Sequence, residues 1–484
     1  MELLGTGHWA GRVFSGGWLQ GGGETYASVE PATGQQLAEV GAAAPQDVRR
    51  AVQRAGDTQP AWAATPYDPR AAVLRRAADL LEEHQDEVED WVVREAGLPR
   101  YFAGALGAAE EFRQAAALAS APLGQVLPSW QPRLSFTRRL PVGVVGIIAP
   151  FNAPLMLAAR ALAPALAVGN AVVFKPDPRT AVCGGVVFAR LLEEAGLPPD
   201  LLHVLPGGAD IARELVTHPR VPVIAFTGSV AAGREVARLA APLLKRVHLE
   251  LGGNSALLVL DDADIEHAAR VGSFGSFHNA GQVCMASSRH LVAASLVEDY
   301  TALLAERASQ LTIGNPAGSD VAYGPLIDRP SRDRVHAVVH DSVAAGARLV
   351  TGGTYRELLY QPTVLAEVPP EARAYQEEIF GPVAPVLAFQ ELDEAARLAA
   401  ETEYGLSLAV LTRDVMKGLA LAERVPVGML HINDQTSTDE PIAPFGGVGV
   451  SGNGFRIGGQ QANLESFTEL QWVTVNQEPG SYPF

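Results

Sequence analysis

Cys284 and Glu250 are the residues of this chain whose types and placement point most directly to chemistry. They belong to the stretch HLELGGNSALLVLDDADIEHAARVGSFGSFHNAGQVCMASSR, which runs from His248 to Arg289. Glu250 stands in an apolar, strand-like run, and Cys284, one of only two cysteines, stands in a Gly/Gln/Ser-rich segment. A thiol attacks as its thiolate and a nearby carboxylate activates water, so the pair suits covalent chemistry followed by hydrolysis. The other reading of Cys284 is a small buried hydrophobe. The separation leaves room for a strand, a helix and a loop to bring the two residues back together.

Further polar candidates fall where apolar runs stop. Asn152, between Phe151 and Ala153-Pro154, is either a cap or turn residue or a side-chain donor to a developing oxyanion. Lys175 closes the run AVVFKP and is either solvated or placed to bond ribose hydroxyls. Phe226-Thr227-Gly228-Ser229-Val-Ala-Ala-Gly233 follows VPVIA and opens a helical run. There Gly228 would let backbone approach a pyrophosphate, while Ser229 would cap the helix and offer N–H groups. Gly447-Val-Gly449-Val-Ser-Gly452 also fits a dinucleotide fingerprint, but PIAPF precedes it and NGF follows, so a tight loop is expected instead. Glu377 and Glu378 precede an apolar turn. His248, His278 and His431 show no metal-ligand spacing, and no metal site is expected.

The elements that must position these groups follow from periodicity. Residues 1–44 alternate Gly-rich turns with short apolar runs, as hairpins do, and Pro45 to about Ala119 is helical. A helix-start signal stands at Asp68 or Pro69. Residues 121–139 read as Pro-punctuated extended chain, an arm for assembly, with the terminal WVTVN as its partner. From Leu140 strands and helices alternate: PVGVVGIIAP, a helix, AVVFKP, the helical CGGVVFARLLEEAG, LLHVLPGG, a helix, VPVIAFTGS, a helix and RVHLELGG. That pace predicts a parallel, doubly wound α/β sheet, with ligands beyond the carboxyl ends of its strands. A second α/β unit with the thiol is predicted from about 255 to 420.

With 484 residues, two or three domains are expected. A net charge of −17 argues against nucleic acid or an anionic membrane as partner. Two cysteines give no disulfide framework and suit a reducing, cytoplasmic compartment. The opening MELLGTGHWAGRVF lacks a basic region followed by an apolar core, so no secretory signal is expected. The longest apolar run, Leu155 to Val168, is broken by Arg160 and Pro164 and is too short to span a bilayer.

In combination these residues resemble the aldehyde dehydrogenase family: AFTGS with Gly233, LELGG with Glu250, GQVC with Cys284, EEIFGPV and PFGG occur in the family's order. APFNAP, KPDPRTAVCGG and HINDQ bring the likeness closer to the bacterial benzaldehyde dehydrogenases. The resemblance implies a fold of two doubly wound parallel-sheet domains with a β-hairpin oligomerisation arm. It implies an NAD(P)-binding domain from 1–120 and 140–252, a catalytic domain from 253–440, and bridging segments at 121–139 and 465–484. It makes Cys284 the nucleophile toward an aldehyde and Glu250 the base that hydrolyses the resulting thioester. The Asn152 amide and the Cys284 N–H become the oxyanion donors. Cofactor contacts map to Ile148, Ala149, Pro150, Lys175, Gly208, Gly228, Ser229, Gly233, Leu251, Glu378 and Phe380. Phe151, Leu155, Val283, Met285 and Phe445 are expected to form an apolar substrate funnel with no basic group for a second carboxylate, which favours neutral aromatic aldehydes.

Two departures from the family pattern bear on specificity. Phe151 replaces the family's common Trp. Pro178 stands where NAD-preferring members often carry Glu, and Arg179 beside it would draw in a 2′-phosphate, so NADP is admitted beside NAD. The partners implied are a small aldehyde and further copies of the chain, as a dimer or tetramer. The rival readings are a dehydrogenase of aliphatic aldehydes or semialdehydes, a CoA-acylating member, which Glu250 disfavours, a cysteine thioesterase without redox, and a non-catalytic protein.

Overall fold

The computed structural model describes residues 2–480 and 482–484. Met1, in the first expected segment, and Ser481, in the expected 465–484 segment, lie outside them. The alternation of apolar runs from Leu140 onward becomes a seven-stranded sheet. From edge to edge its strands are Arg246–Glu250, Val223–Thr227, Val144–Ile148, Ala171–Lys175, Leu202–Val204, Arg12–Ser15 and Trp18–Gln20. The five strands from the α/β stretch are mutually parallel. Those at the middle of the sheet are buried along their whole length, as continuous apolar runs require when helices cover both faces. Chain order reverses between Val144–Ile148 and Val223–Thr227, which are direct neighbours. That reversal opens a crevice at their carboxyl ends.

The N-terminal hairpin does not stand apart. Arg12–Ser15 joins the sheet antiparallel to Leu202–Val204, so the sheet is mixed at that edge. A second hairpin pairs Tyr26–Val29 with Gln36–Val40. The helical stretch after Pro45 resolves into Pro45–Ala64, Tyr67–Glu83, Gln85–Ala96 and Ala105–Leu118. The run expected to begin at Asp68 or Pro69 begins at Tyr67 and breaks at His84, whose φ of −113° is not helical. The expected helix at Cys183 opens as a π-turn, Val182–Val186, before α-helix Val187–Glu194. There Gly184 and Gly185 pack against Pro154 and Pro176 with no room for a Cβ, and the buried Glu95 carboxylate accepts the Val182 and Cys183 N–H groups.

The second sheet also has seven strands: Arg348–Thr351, Thr363–Ala366, Val383–Phe389, Ser287–Ala293, Ser255–Val259, Ser407–Leu411 and Met429–Ile432. Only the edge strand Arg348–Thr351 runs antiparallel. The sheets are joined by Leu251-Gly252-Gly253-Asn254, which leads from the carboxyl end of one strand straight into Ser255. The carboxyl edge of the first sheet therefore faces the amino edge of the second. Thr468–Val475 pairs antiparallel with Leu134–Pro141 in a separate two-stranded ribbon, so the expected arm is built from segments far apart in the chain. Leu134, Leu470, Trp472 and Val475 on this ribbon are exposed.

Candidate active site

The Cys284 loop is shaped by an unusual backbone. Helix Ile265–Phe277, capped by Asp264 accepting the His267 N–H at 3.0 Å, gives way to Asn279 and Ala280 with φ of 49° and 54°. Gly281 follows with φ 67°. Left-handed conformations cost an L-residue energy and persist where surrounding bonds hold them. The Gln282 side chain supplies such bonds, since its Oε1 accepts the Ile327 N–H at 3.0 Å. A Cβ on Gly281 would fall 2.1 Å from the Gly381 carbonyl oxygen, which explains the glycine of GQVC. The thiol thus sits just ahead of Ser287–Ala293, at the amino end of a strand, and not at a carboxyl end as ligand sites in such sheets usually do.

Asn152 comes to this loop from the first sheet. Ala153, not Asn152, caps helix Pro154–Ala167, so the side chain is free of the turn role. Asn152 Nδ2 donates to the Gln282 carbonyl at 2.9 Å, and Asn279 Nδ2 returns a bond of 3.0 Å to the Asn152 carbonyl. An amide nitrogen has two hydrogens, so one remains for a ligand. The Cys284 backbone N–H donates to no protein acceptor among the described residues. Gly253 lies so close to this loop that a Cβ would meet the Cys284 carbonyl oxygen at 2.6 Å.

Glu250 ends its strand 5 % exposed, and neither carboxyl oxygen has a hydrogen-bond partner among the described residues. Burial raises its pKa well above the carboxylate range, with Arg456 and Arg160 opposing the shift. The Cys284 thiol is pushed up to about 12, first by burial and then by Glu378, Asp439 and Glu250. Glu378 donates nothing but accepts the Gly253 N–H at 3.2 Å, and burial lifts it to about 7. The site is therefore acidic in composition, and burial disfavours the charged forms of both Glu250 and Cys284.

The candidate cofactor residues gather on the first sheet's carboxyl edge. Ile148 and Lys175 pair across two parallel strands, and the Ala149 N–H donates to the Lys175 carbonyl at 3.3 Å. The Lys175 ammonium makes no ion pair among the described residues, and burial lowers its pKa. Ser229 caps Val230–Ala240 through a 3.3 Å bond from the Ala232 N–H, and the Gly228 N–H donates to the Glu250 carbonyl. Gly233 is dictated by Leu251, whose Cδ2 would lie 2.5 Å from an added Cβ. Gly208 is exposed at the start of helix Ala209–Thr217. Pro150 is half-buried at the mouth of the crevice. Phe380, with a left-handed φ of 52°, meets the Phe151 ring edge-on at 6.0 Å.

The expected apolar funnel divides. Leu155, Val283, Met285 and Phe445 share one core cluster, against which Cys284 packs. Phe151 is not part of that cluster and lies between Phe380 and the Arg179 guanidinium, 4.3 Å from its ring. Arg179 is ion-paired with Asp177 at 2.8 Å and Asp328 at 2.6 Å, two carboxylates that compete with any phosphate for its guanidinium.

Sequence reasoning passed over one cluster. Arg160, 2 % exposed, joins Glu111 at 2.7 Å and Asp439 at 2.6 Å, donates to the Glu440 carbonyl, and lies 5.3 Å from the Phe445 ring centre. It pins the 433–445 loop to the helical layer. Its only sequence signal was a charge interrupting the apolar run after Leu155.

The aldehyde dehydrogenase family model matches residues 18–473. The chain is 57 % identical to a vanillin dehydrogenase of an Amycolatopsis species, over 100 % of both chains. It is 46 % identical to the NAD(+) benzaldehyde dehydrogenase of Pseudomonas putida, covering 98 % of each. Among solved structures, salicylaldehyde dehydrogenase of Pseudomonas putida G7 complexed with salicylaldehyde superposes with a TM-score of 0.95 at 33 % identity, over 98 % and 99 % of the chains.

Proposed function

We propose that this chain, which belongs to the aldehyde dehydrogenase family, oxidises neutral aromatic aldehydes to their carboxylic acids with NAD. The observation that carries the proposal is the meeting of Asn152 with the Cys284 loop, which brings an amide with one uncommitted hydrogen to the loop that carries the thiol and its N–H. In this reading the thiolate adds to the aldehyde carbon, and those two donors hold the negative oxygen of the thiohemiacetal. Bound NAD supplies the acceptor for the hydride leaving that carbon. Glu250 takes a proton from the water that attacks the resulting thioester, and Cys284 departs as the leaving group. Lys175, Gly228, Ser229, Gly233 and Glu378 would hold the cofactor, and their chemistry fits: an unpaired ammonium, close backbone approach and a helix N-terminus.

The substrate class rests on apolar packing and charge. Val283 and Met285 flank the thiol in sequence, Leu155 and Phe445 belong to the same apolar core, and Arg160 beside Phe445 is committed to two carboxylates. Asp439 near the thiol would repel a second carboxylate. The named relatives, acting on vanillin, benzaldehyde and salicylaldehyde, support the same class. Asp177 and Asp328 on Arg179 support NAD over its 2′-phosphate. We assign cofactor binding to 1–120 and 140–252, the thiol to a unit spanning 253–440, and self-association to the segments at 121–139 and 465–484, whose ribbon is apolar and exposed. The two unpaired thiols suit the cytoplasm.

Initial rates with vanillin, benzaldehyde and succinic semialdehyde, each with NAD and NADP, test the proposal. The aromatic aldehydes with NAD should be fastest. Faster oxidation of the semialdehyde overturns the substrate class, and thioester hydrolysis by an enzyme that oxidises no aldehyde overturns the redox reading.

A further inference from the structure

His248 and Glu250 lie two residues apart on one strand, so their side chains leave the same face of the sheet. Both line one cavity with about 20 Å³ of room for water, together with Thr227, Arg160, Phe445 and Ile457. His248 is 1 % exposed, its ring tilted against Phe455 at 4.7 Å and edge-on to Phe467 at 5.6 Å. Neither ring nitrogen, and neither Glu250 oxygen, has a protein partner among the described residues. Buried polar atoms without partners are costly, and native interiors supply them with protein groups or ordered water. The same-face spacing of about 6–7 Å is too long for a direct bond and suits a bridge. The cavity is large enough for one water, which needs roughly 10–15 Å³ and two to four polar partners.

We propose that a water held in this cavity bonds both the Glu250 carboxyl and a His248 ring nitrogen, making His248 a positioning residue for the base. Its effect is on the charged form of Glu250, which has apolar wall on most sides. Arg456 and Arg160 face the carboxyl and favour its charge, whereas Asp439 opposes it. Burial, and after it Arg246, keeps the His248 ring neutral, so it carries one donor and one acceptor and relays polarity without adding charge. Losing the bridge would leave the carboxylate still less solvated and move its titration upward.

The inference rests on Glu250 being the base. The test follows thioester hydrolysis, after the burst of reduced nicotinamide, as a function of pH in His248→Phe and His248→Gln. His248→Phe keeps a ring against Phe455 and Phe467 but has no polar atom. Its acid limb should move up by about one to two pH units, the scale of one lost bond to a charged group, with the burst amplitude kept. His248→Gln, whose amide both donates and accepts, should restore most of the wild-type limb. A wild-type limb in His248→Phe, or an equal displacement in His248→Gln, overturns the proposal. If His248→Phe does not fold, His248→Met is read the same way. Glu250→Gln separates the two claims: wild-type hydrolysis there refutes the base, whereas loss of hydrolysis beside an unmoved limb in His248→Phe refutes only the bridge.

Discussion

The two cysteines sit in regions that raise both thiols yet equip only one. Cys183 is fully buried in the π-turn, where burial and then Glu95 hold its pKa far above the ordinary thiol value. Its N–H is committed to Glu95 at 2.7 Å. Cys284 is also pushed up, to about 12, but it is partly exposed, its N–H is uncommitted and the Asn152 amide is beside its loop. The thiolate population at rest therefore does not distinguish nucleophile from core residue. Access and uncommitted donors do: in the proposed reaction they would stabilise charge where it develops on the substrate oxygen.

The sharpest way to break this contrast is to exchange alanine for each thiol. Cys284→Ala should abolish formation of reduced nicotinamide, whereas Cys183→Ala should retain wild-type turnover; a large kinetic loss in the latter sinks the distinction. Next in size, Glu250→Gln should lower steady turnover about 10²–10⁴-fold while keeping a burst, provided acylation stays faster than hydrolysis. Asn152→Ala should cost about 10²–10³ in kcat, read in single turnovers, because it removes a waiting donor and leaves the thiol in place. A smaller effect comes from pH. Since the free thiol is neutral below its raised pKa, thiolate grows as pH rises, and kcat/KM should climb from pH 6 to 9, up to about tenfold per unit. A falling profile over that range would contradict the sign. Least of all, Cys183→Ala should lower Tm by a few degrees, the cost of a small cavity under Glu95, measured by thermal denaturation.

Much of the fold was readable because buried parallel strands write themselves as unbroken apolar runs, and the residues after each run cluster at one edge. Asn152, Lys175, Gly228 and Glu250 were legible for that reason. What stayed hidden depends on partners distant in sequence. The Arg160 cluster joins Glu111 on one helix to Asp439 on a loop, and no local period marks such a triad. Ala280 takes a left-handed backbone against its own preference, in a loop whose neighbours Gly281 and Gln282 are held against residues near 381 and 325. Likewise, Arg12–Ser15 looked like a free hairpin because its other neighbour, Leu202–Val204, lies far along the chain.

The four-residue link Leu251-Gly252-Gly253-Asn254 has a consequence for how such a protein diversifies. It follows Glu250, the proposed base, on one side and presses against the Cys284 loop on the other, so a covalent spacer sets the gauge between them. Inserting a residue there would displace one group against the other by about 3.3 Å, the rise of one extended residue. The 433–445 loop is moored instead by side chains, Arg160 on Asp439 and the Glu440 carbonyl, Ser287 on Thr436 and His278 on Ser437. Side-chain moorings can be exchanged one at a time, whereas the length of the four-residue link cannot change without moving Glu250 against the Cys284 loop.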